Sequence, residues 1–478
     1  MTFSIKQFAI GFAIGLSFCL NTVAFGALVS GPPPVPASPQ ATAPAAPAVV
    51  RPLISEQIKF KVEKYKMANG LTVLIHEDHK MPLLSYQQWF RVGSSHERPT
   101  RTGLAHFFEH LMFKGTKKYP EGEIDRLIQK NGGNFNAFTT EDYTGYYTNL
   151  PSSQLNLVMD IESDRMRNLI LDETSINSER EVVKEERRLR YENSVTGSLW
   201  ELFRSTMYKT NTYRWPVIGY MADLNATKID EFREFYNLNY APNDAVVVIA
   251  GDVKTDEVKQ LMEKFYGAIP AKVLPPFNPA PEVEQKAPRT AVLERDVQGV
   301  TLIVAYPGVK ADDPDSYALS MLSEIMSSGA SSRLYKDLVY KNQLATQVSM
   351  GSENNLLAGE ITFFIGFKPN ADVPKGLSLL QQEIDRLKTE LVTSEEIEKV
   401  RNAILLGTIK GLQTVSSKAH SMAYNEITHN DYSYLFTSLD KMSQVTAEQI
   451  RDAAKKYFVA DKLNIVKVVP KAASGVVR

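Results

Sequence analysis

The chain is expected to be an α+β protein made of two homologous domains, each a mostly antiparallel sheet covered by helices. Three observations predict this. Short runs with strand character alternate irregularly with helix-periodic segments. The order of those elements in the first half recurs in the second. Between the halves lies a proline-rich stretch, "GAIPAKVLPPFNPAPEVEQKAP", a composition typical of connections. Helices mixed with hairpin-like strands, without strict strand–helix–strand alternation, argue against a doubly wound parallel sheet.

The elements follow in order. Residues 1–27 read as a secretory signal. One lysine, Lys6, precedes the 13-residue apolar run "FAIGFAIGLSFCL", and small residues follow it. The run is too short for an ordinary membrane span and has the right length for an export signal. Cleavage near Ala24 or Gly26 is expected, leaving no stable membrane span and placing the protein most simply in a bacterial periplasm. The single cysteine, Cys19, lies in this segment. The exported chain would therefore have no disulfide, which suits a protein large enough to build its own core. Residues 28–54 form a proline/alanine linker that cannot pack a core.

The body divides into a first domain (55–275), a linker (276–286) and a second domain (287–478). In the first, "FKVEKYKMANGLTVLIHED" predicts two strands around an Asn-Gly turn, and "LLSYQQWFRVG" a third. Two helices follow, the second ending at Asn131–Gly133. Then come the strands "NFNAFTTED" and "YTGYYTNL", helices opening at Pro151 and near Asp172, and a closing helix–strand unit, "IDEFREFYNLNYAPNDAVVVIAGDV". The second domain gives strands "TAVLERD" and "VTLIVAYPG", a helix from Asp315 to Ser327, the helix "SSRLYKDLVYKNQ", two strands and three helices. It too closes with helix then strand, "AEQIRDAAKKYFVADKLNIVKVV", with Tyr240 opposite Phe458 and Asn243 opposite Asp461. Lys plus Arg number 54 and Asp plus Glu 55, so no bulk charge points to nucleic acid or to a membrane surface.

Chemistry concentrates in "GLAHFFEHLMFKGT". On a helix, positions three and four apart share a face, so His106, Glu109 and His110 lie together. Two imidazoles beside a carboxylate can bind a metal, and zinc, a borderline ion, fits such donors, with cobalt or manganese as substitutes. The alternative is a surface helix with an accidental His/Glu pair. A catalytic zinc requires a third protein ligand and an open position. The charged helix "SINSEREVVKEERRLRYE" offers one, because Glu179, Val182, Val183 and Glu186 fall on one stripe. A carboxylate on an apolar stripe is costly to bury unless it is paired or binds metal. Glu186 is the expected ligand and Glu185, rotated away, the second choice. Glu179, two turns earlier, can hydrogen-bond to a ligating histidine.

These residues carry a resemblance. "GLAHFFEHLMFKGT", "GGNFNAFTTEDYTGYY" and "SEREVVKEE", in this order, resemble the pitrilysin/insulinase family of zinc peptidases. That family has the inverted His-x-x-Glu-His motif, and the likeness is to its processing-peptidase type. It covers essentially the whole chain beyond the linker. It implies a zinc endopeptidase with His106, His110 and Glu186 as ligands of one Zn2+ per chain, Glu109 as general base and Glu179 behind the ligands. It also implies two homologous domains per chain, forming half of a four-domain clamshell chamber. Asn136 and Ala137 match positions at which the family adds the substrate backbone as a further strand, so unfolded peptides are the expected substrates.

One departure matters. Single-chain relatives carry in their second half an arginine and a tyrosine that bind the substrate carbonyl. Val339 and Thr346 occupy those positions here, with Tyr340 and Arg333 nearby. The resemblance therefore implies a heterodimer in which a homologous subunit supplies the Arg/Tyr pair, or else a homodimer that works without it. The rival class is a non-catalytic core or scaffold subunit. Such members of the family typically lack motif residues, whereas His106, Glu109, His110 and Glu186 are all present.

Overall fold

The structure is a computed structural model and describes residues 54–471. The expected signal segment and all but the last residue of the following linker lie outside the described residues.

The first sheet contains β1 (Glu63–Lys66), β2 (Thr72–Glu77), β3 (Leu83–Phe90), β4 (Asn134–Thr139), β5 (Thr144–Pro151) and β6 (Ala245–Gly251). Their order is β1-β2-β6-β3-β5-β4. The second contains β7 (Arg289–Arg295), β8 (Thr301–Pro307), β9 (Ala345–Asn354), β10 (Gly359–Phe367) and β11 (Asn464–Pro470), ordered β7-β11-β8-β10-β9. Pairing is antiparallel except between β2 and β6 and between β7 and β11. Setting β2 against β7 and β6 against β11 makes the two orders the same, and β1 is the one addition.

The closing units repeat as well. Helix Ile229–Asn239, a short turn at Pro242–Asp244 and β6 match helix Ala447–Tyr457, a turn at Ala460–Lys462 and β11. Tyr240 and Phe458 each directly follow their helix, and both are buried. At the Asn-Gly turn, Gly70 has φ +87, a conformation that favours glycine. A Cβ there would lie 2.6 Å from Asn243.

Packing ties the halves together. On one face β6 presents Val247 and Ile249 to helices of its own half; on the other, Val246 and Val248 meet Ala419, Met422, Ala423 and Ile427. Those four belong to the helix Val415–His429 of the second half. Reciprocally, Leu199, Phe203 and Met207 on helix Val195–Met207 pack against Ile303 and Ala305 of β8 and against Val466 and Val468 of β11. Each sheet is thus covered on its second face by a helix from the other half. This explains why β6 reads as an unbroken apolar run, as strands buried on both faces do.

The element list is longer than the sequence suggests. Helices Val195–Met207, Met221–Ala226 and Thr255–Tyr266 are additions. Between β10 and the closing helix stand Val373–Thr389, Ser394–Gly411, Val415–His429 and Tyr434–Ser443, one more than the three expected. The segment expected as an ordinary helix after Ser331 is wound as a π-helix over Tyr335–Lys341. No described helix is long and apolar enough to cross a membrane.

Candidate metal centre

The motif helix spans Leu104–Leu111. Its N-terminus is held by Glu97, whose carboxylate accepts from Gly103 N and Ala105 N at 2.8 Å each, satisfying amides that the helix leaves unpaired. Phe107 and Phe108 are buried, Phe107 edge-on to Phe232 and Phe108 stacked on Phe235 and Tyr236. Those contacts anchor the helix by one face and turn His106, Glu109 and His110 to the other.

The second helix, Glu173–Arg187, is capped by Asp172, which accepts from Ser175 N at 2.8 Å. Its buried residues are Ile176, Glu179, Val183 and Arg187. The stripe expected from sequence is corrected here, because Val182 is 50% exposed. The burial centre lies on the Val183 side, and Val182, about 100° further round, falls outside it. Glu186 sits at the margin of the stripe, half-buried and open to the motif helix. Glu185 points away, exposed, and pairs with Arg188 at 2.8 Å.

Glu186 Oε2 lies 3.1 Å from His110 Nε2 and 3.7 Å from His106 Nε2. One ligand atom from each of His106, His110 and Glu186 falls within 4.8 Å of the others. Tetrahedral zinc with bonds near 2 Å sets its ligand atoms about 3.3 Å apart, so the donor set fits that ion. His110 Nδ1 lies 2.8 Å from Glu179 Oε1, which leaves Nε2 to face Glu186. Glu179 Oε2 also takes Lys114 Nζ at 3.0 Å, and Glu186 Oε1 takes Arg190 Nη1 at 2.9 Å. His106 Nδ1 is buried with no partner among the described residues, so this ring's polar contact falls to Nε2.

Burial and pairing shift the charges of these groups in opposite directions. Burial pushes His106 down to about 3. Burial also opposes charge on His110, but hydrogen bonds to Glu179 and Glu186 outweigh it and raise the group to about 9. For Glu186, burial is outweighed by the His110 hydrogen bond and nearby positive charge, which hold it at about 2. Glu109 stands apart from this set. Its Oε2 accepts from Thr139 Oγ1 at 2.6 Å, and burial raises its pKa while the Thr139 hydrogen bond partly offsets the shift.

β4, next to the motif helix, is an edge strand with β5 as its neighbour. Ala137 N donates to Asn136 Oδ1 at 2.8 Å, so a side chain satisfies this amide where an added strand would otherwise pair. In the second half, Val339 packs against the core, and Thr346 Oγ1 donates to Gly366 O at 3.1 Å. Arg333 is bound to Glu396 by two hydrogen bonds of 2.7 and 2.9 Å, and Tyr340 is exposed. Sequence reasoning missed Thr139, Lys114 and Arg190. Thr139 had a signal, since it stands two residues after Ala137 and so on the same face of the strand.

The family described as "Insulinase (Peptidase family M16)" matches residues 72–219, and the one described as "Peptidase M16 inactive domain" matches residues 227–404. The zinc protease PqqE of Helicobacter pylori is 31% identical over 412 residues, covering 83% of this chain and 90% of that protein. An uncharacterized zinc protease, YmxG, of Bacillus subtilis is 25% identical over 84% of this chain and 96% of its own. A crystal structure of a protease from Helicobacter pylori matches with a TM-score of 0.83 and 29% identity, over 86% of this chain and all of that one. The periplasmic protease PqqL from Escherichia coli matches in fold with a TM-score of 0.71 at 19% identity, and 86% of this chain covers 47% of that one. The chain belongs to the pitrilysin/insulinase family of peptidases, M16.

Proposed function

We propose that this chain is an exported zinc metalloendopeptidase that hydrolyses unfolded peptides, and that it is the catalytic subunit of a heterodimer. Residues 55–275 would form the catalytic domain and 287–478 its homologue without metal, joined by 276–286. The observation that carries the reading is the convergence of His106, His110 and Glu186 on one small volume, with Glu109 beside it and bonded elsewhere.

When bound, zinc supplies an acidified water and a Lewis acid for the scissile carbonyl. His106 and His110 would hold it through Nε2, and Glu186 through its carboxylate. Glu179 fixes the His110 ring through Nδ1, and Lys114 fixes Glu179. Glu109, with Oε2 taken by Thr139, has Oε1 to accept a proton, which it later delivers to the leaving amine. Burial raises its pKa, the direction that suits a group which must hold the proton before handing it on. The free edge of β4 binds the substrate backbone as an added strand, which gives loose sequence preference. Asn136 would then release the Ala137 amide to the substrate.

The partner is inferred from what the second half lacks, because neither Val339 nor Thr346 can donate as an arginine–tyrosine pair does. Loss of such donors costs about 10²–10³ in turnover each. The length match to half of PqqL supports a chamber closed by a second subunit, and the periplasmic description of PqqL supports export. The test is hydrolysis of an unfolded peptide by the purified chain, alone and with a homologue carrying the pair. We expect zinc-dependent activity that rises at least tenfold with the partner. Full activity alone, unchanged by the partner, contradicts the heterodimer. Absence of stoichiometric zinc and of hydrolysis in both cases supports the scaffold alternative.

A further inference from the structure

Thr139 ends β4, and its hydroxyl donates to Glu109 Oε2. Each partner of this bond is held independently of it. Glu109 rides on the motif helix, anchored from behind by Phe107 and Phe108. Thr139 stands where β4 enters a turn fastened on several sides. Thr140 Oγ1 accepts from Asp142 N and Tyr143 N at 3.2 and 3.1 Å. Ser94 N and Ser95 N donate to the carbonyls of Thr140 and Glu141 at 3.1 and 2.7 Å. Asp142 is buried and accepts from the Tyr213 hydroxyl at 2.6 Å and from Leu356 N at 3.1 Å. The fit leaves no slack, since a Cβ on Gly93 would lie 2.4 Å from Thr140 O.

A glutamate's last torsion is soft and broad, so burial alone does not orient its two oxygens. A donor presented from a rigid frame does. We propose that Thr139 is a positioning residue, which fixes the Glu109 carboxylate through Oε2 and keeps Oε1 in constant register with a peptide lying on the edge of β4. The strand that takes the substrate and the hydroxyl that sets the base are then one rigid unit. This rests on the zinc-peptidase reading above. A positioning error of about 1 Å can cost on the order of 10²-fold in rate.

The test compares Thr139→Val, which keeps the shape and removes the donor, with Thr139→Ser, which keeps the donor. Both are assayed as the full zinc-loaded chain, with the partner if activity requires it. For Val we expect kcat to fall about 10- to 100-fold, with KM within about twofold and zinc content unchanged. Serine should restore most of kcat. Thr139→Ala is a second variant without the donor and carries the same expectation should the valine protein fail to fold. Unchanged kcat in a folded variant without the donor overturns the proposal. So does a loss confined to KM, a loss of zinc, or a serine variant as slow as valine. Glu109→Gln is the reference. If it is active, the zinc-peptidase reading fails; if it is inactive while Thr139→Val is fully active, only the positioning role fails.

Discussion

Glu185 and Glu186 are neighbours in sequence but face different surroundings. Glu185 extends into solvent beside Arg188, while Glu186 reaches both motif histidines. Glu186→Gln should therefore lower zinc affinity by more than the 10- to 100-fold typical of groups behind the ligands, and Glu185→Gln should leave it near wild type. Zinc content after dialysis against a weak chelator reads the difference, and loss confined to the Glu185 variant would reverse the assignment. Helical periodicity put His106, Glu109 and His110 on one face of their helix and Glu186 on the stripe of another, and the fold brings His106, His110 and Glu186 together. Periodicity failed at Val182, where the choice of apolar partner needed the direction of the packed neighbour. Lys114 and Arg190 were not legible, since each acts on a partner whose position depends on how the elements pack or where a helix ends, and Thr139 showed only its place on the Ala137 face of its strand.

At the scale of elements, strands and closing units were readable because alternation and turn residues mark them locally. The Asn69–Gly70 turn and the helix–turn–strand pairs at Tyr240 and Phe458 are examples. The helix Val195–Met207 was not. Its buried face, Leu199, Phe203 and Met207, meets β8 and β11, strands about a hundred residues away in sequence or more. Helix Val415–His429 hides its role in the same way, as its small residues Ala419 and Ala423 fit against β6 and Trp89. The π-helical winding of Tyr335–Lys341 likewise has no counterpart in a 3.6-residue pattern.

At the scale of the whole molecule, the two halves meet over a partly buried charged cluster, with Glu360 at its buried centre. Arg204 lies 3.2 Å from Glu141, 3.7 Å from Glu353 and 3.3 Å from Glu360. Tyr208 also donates to Glu360, at 3.1 Å. Three carboxylates share one guanidinium, and burial pushes Glu360 up to about 7 while Arg204 opposes the rise and Glu353 and Glu141 add to it. Glu353 is raised too, again by burial. A folded-state pKa above the unfolded one means the native protein binds more protons. This stability is fully present below about pH 4.5 and is lost as the pH rises through 7. Glu360→Gln removes that dependence. Denaturation midpoints should show the variant gaining on wild type as the pH rises from 5 to 8. An equal difference at both pH values would contradict the cluster's role.

On the proposed mechanism one carboxylate, outside the ligand set, moves the proton in a zinc-dependent peptide hydrolysis. Glu109→Gln tests it most directly, with zinc content and turnover of an unfolded peptide measured on the same preparation. The variant should retain about one zinc per chain and lose turnover by at least about 10². Retention of a tenth or more of wild-type turnover, or loss of the zinc together with the activity, would contradict it.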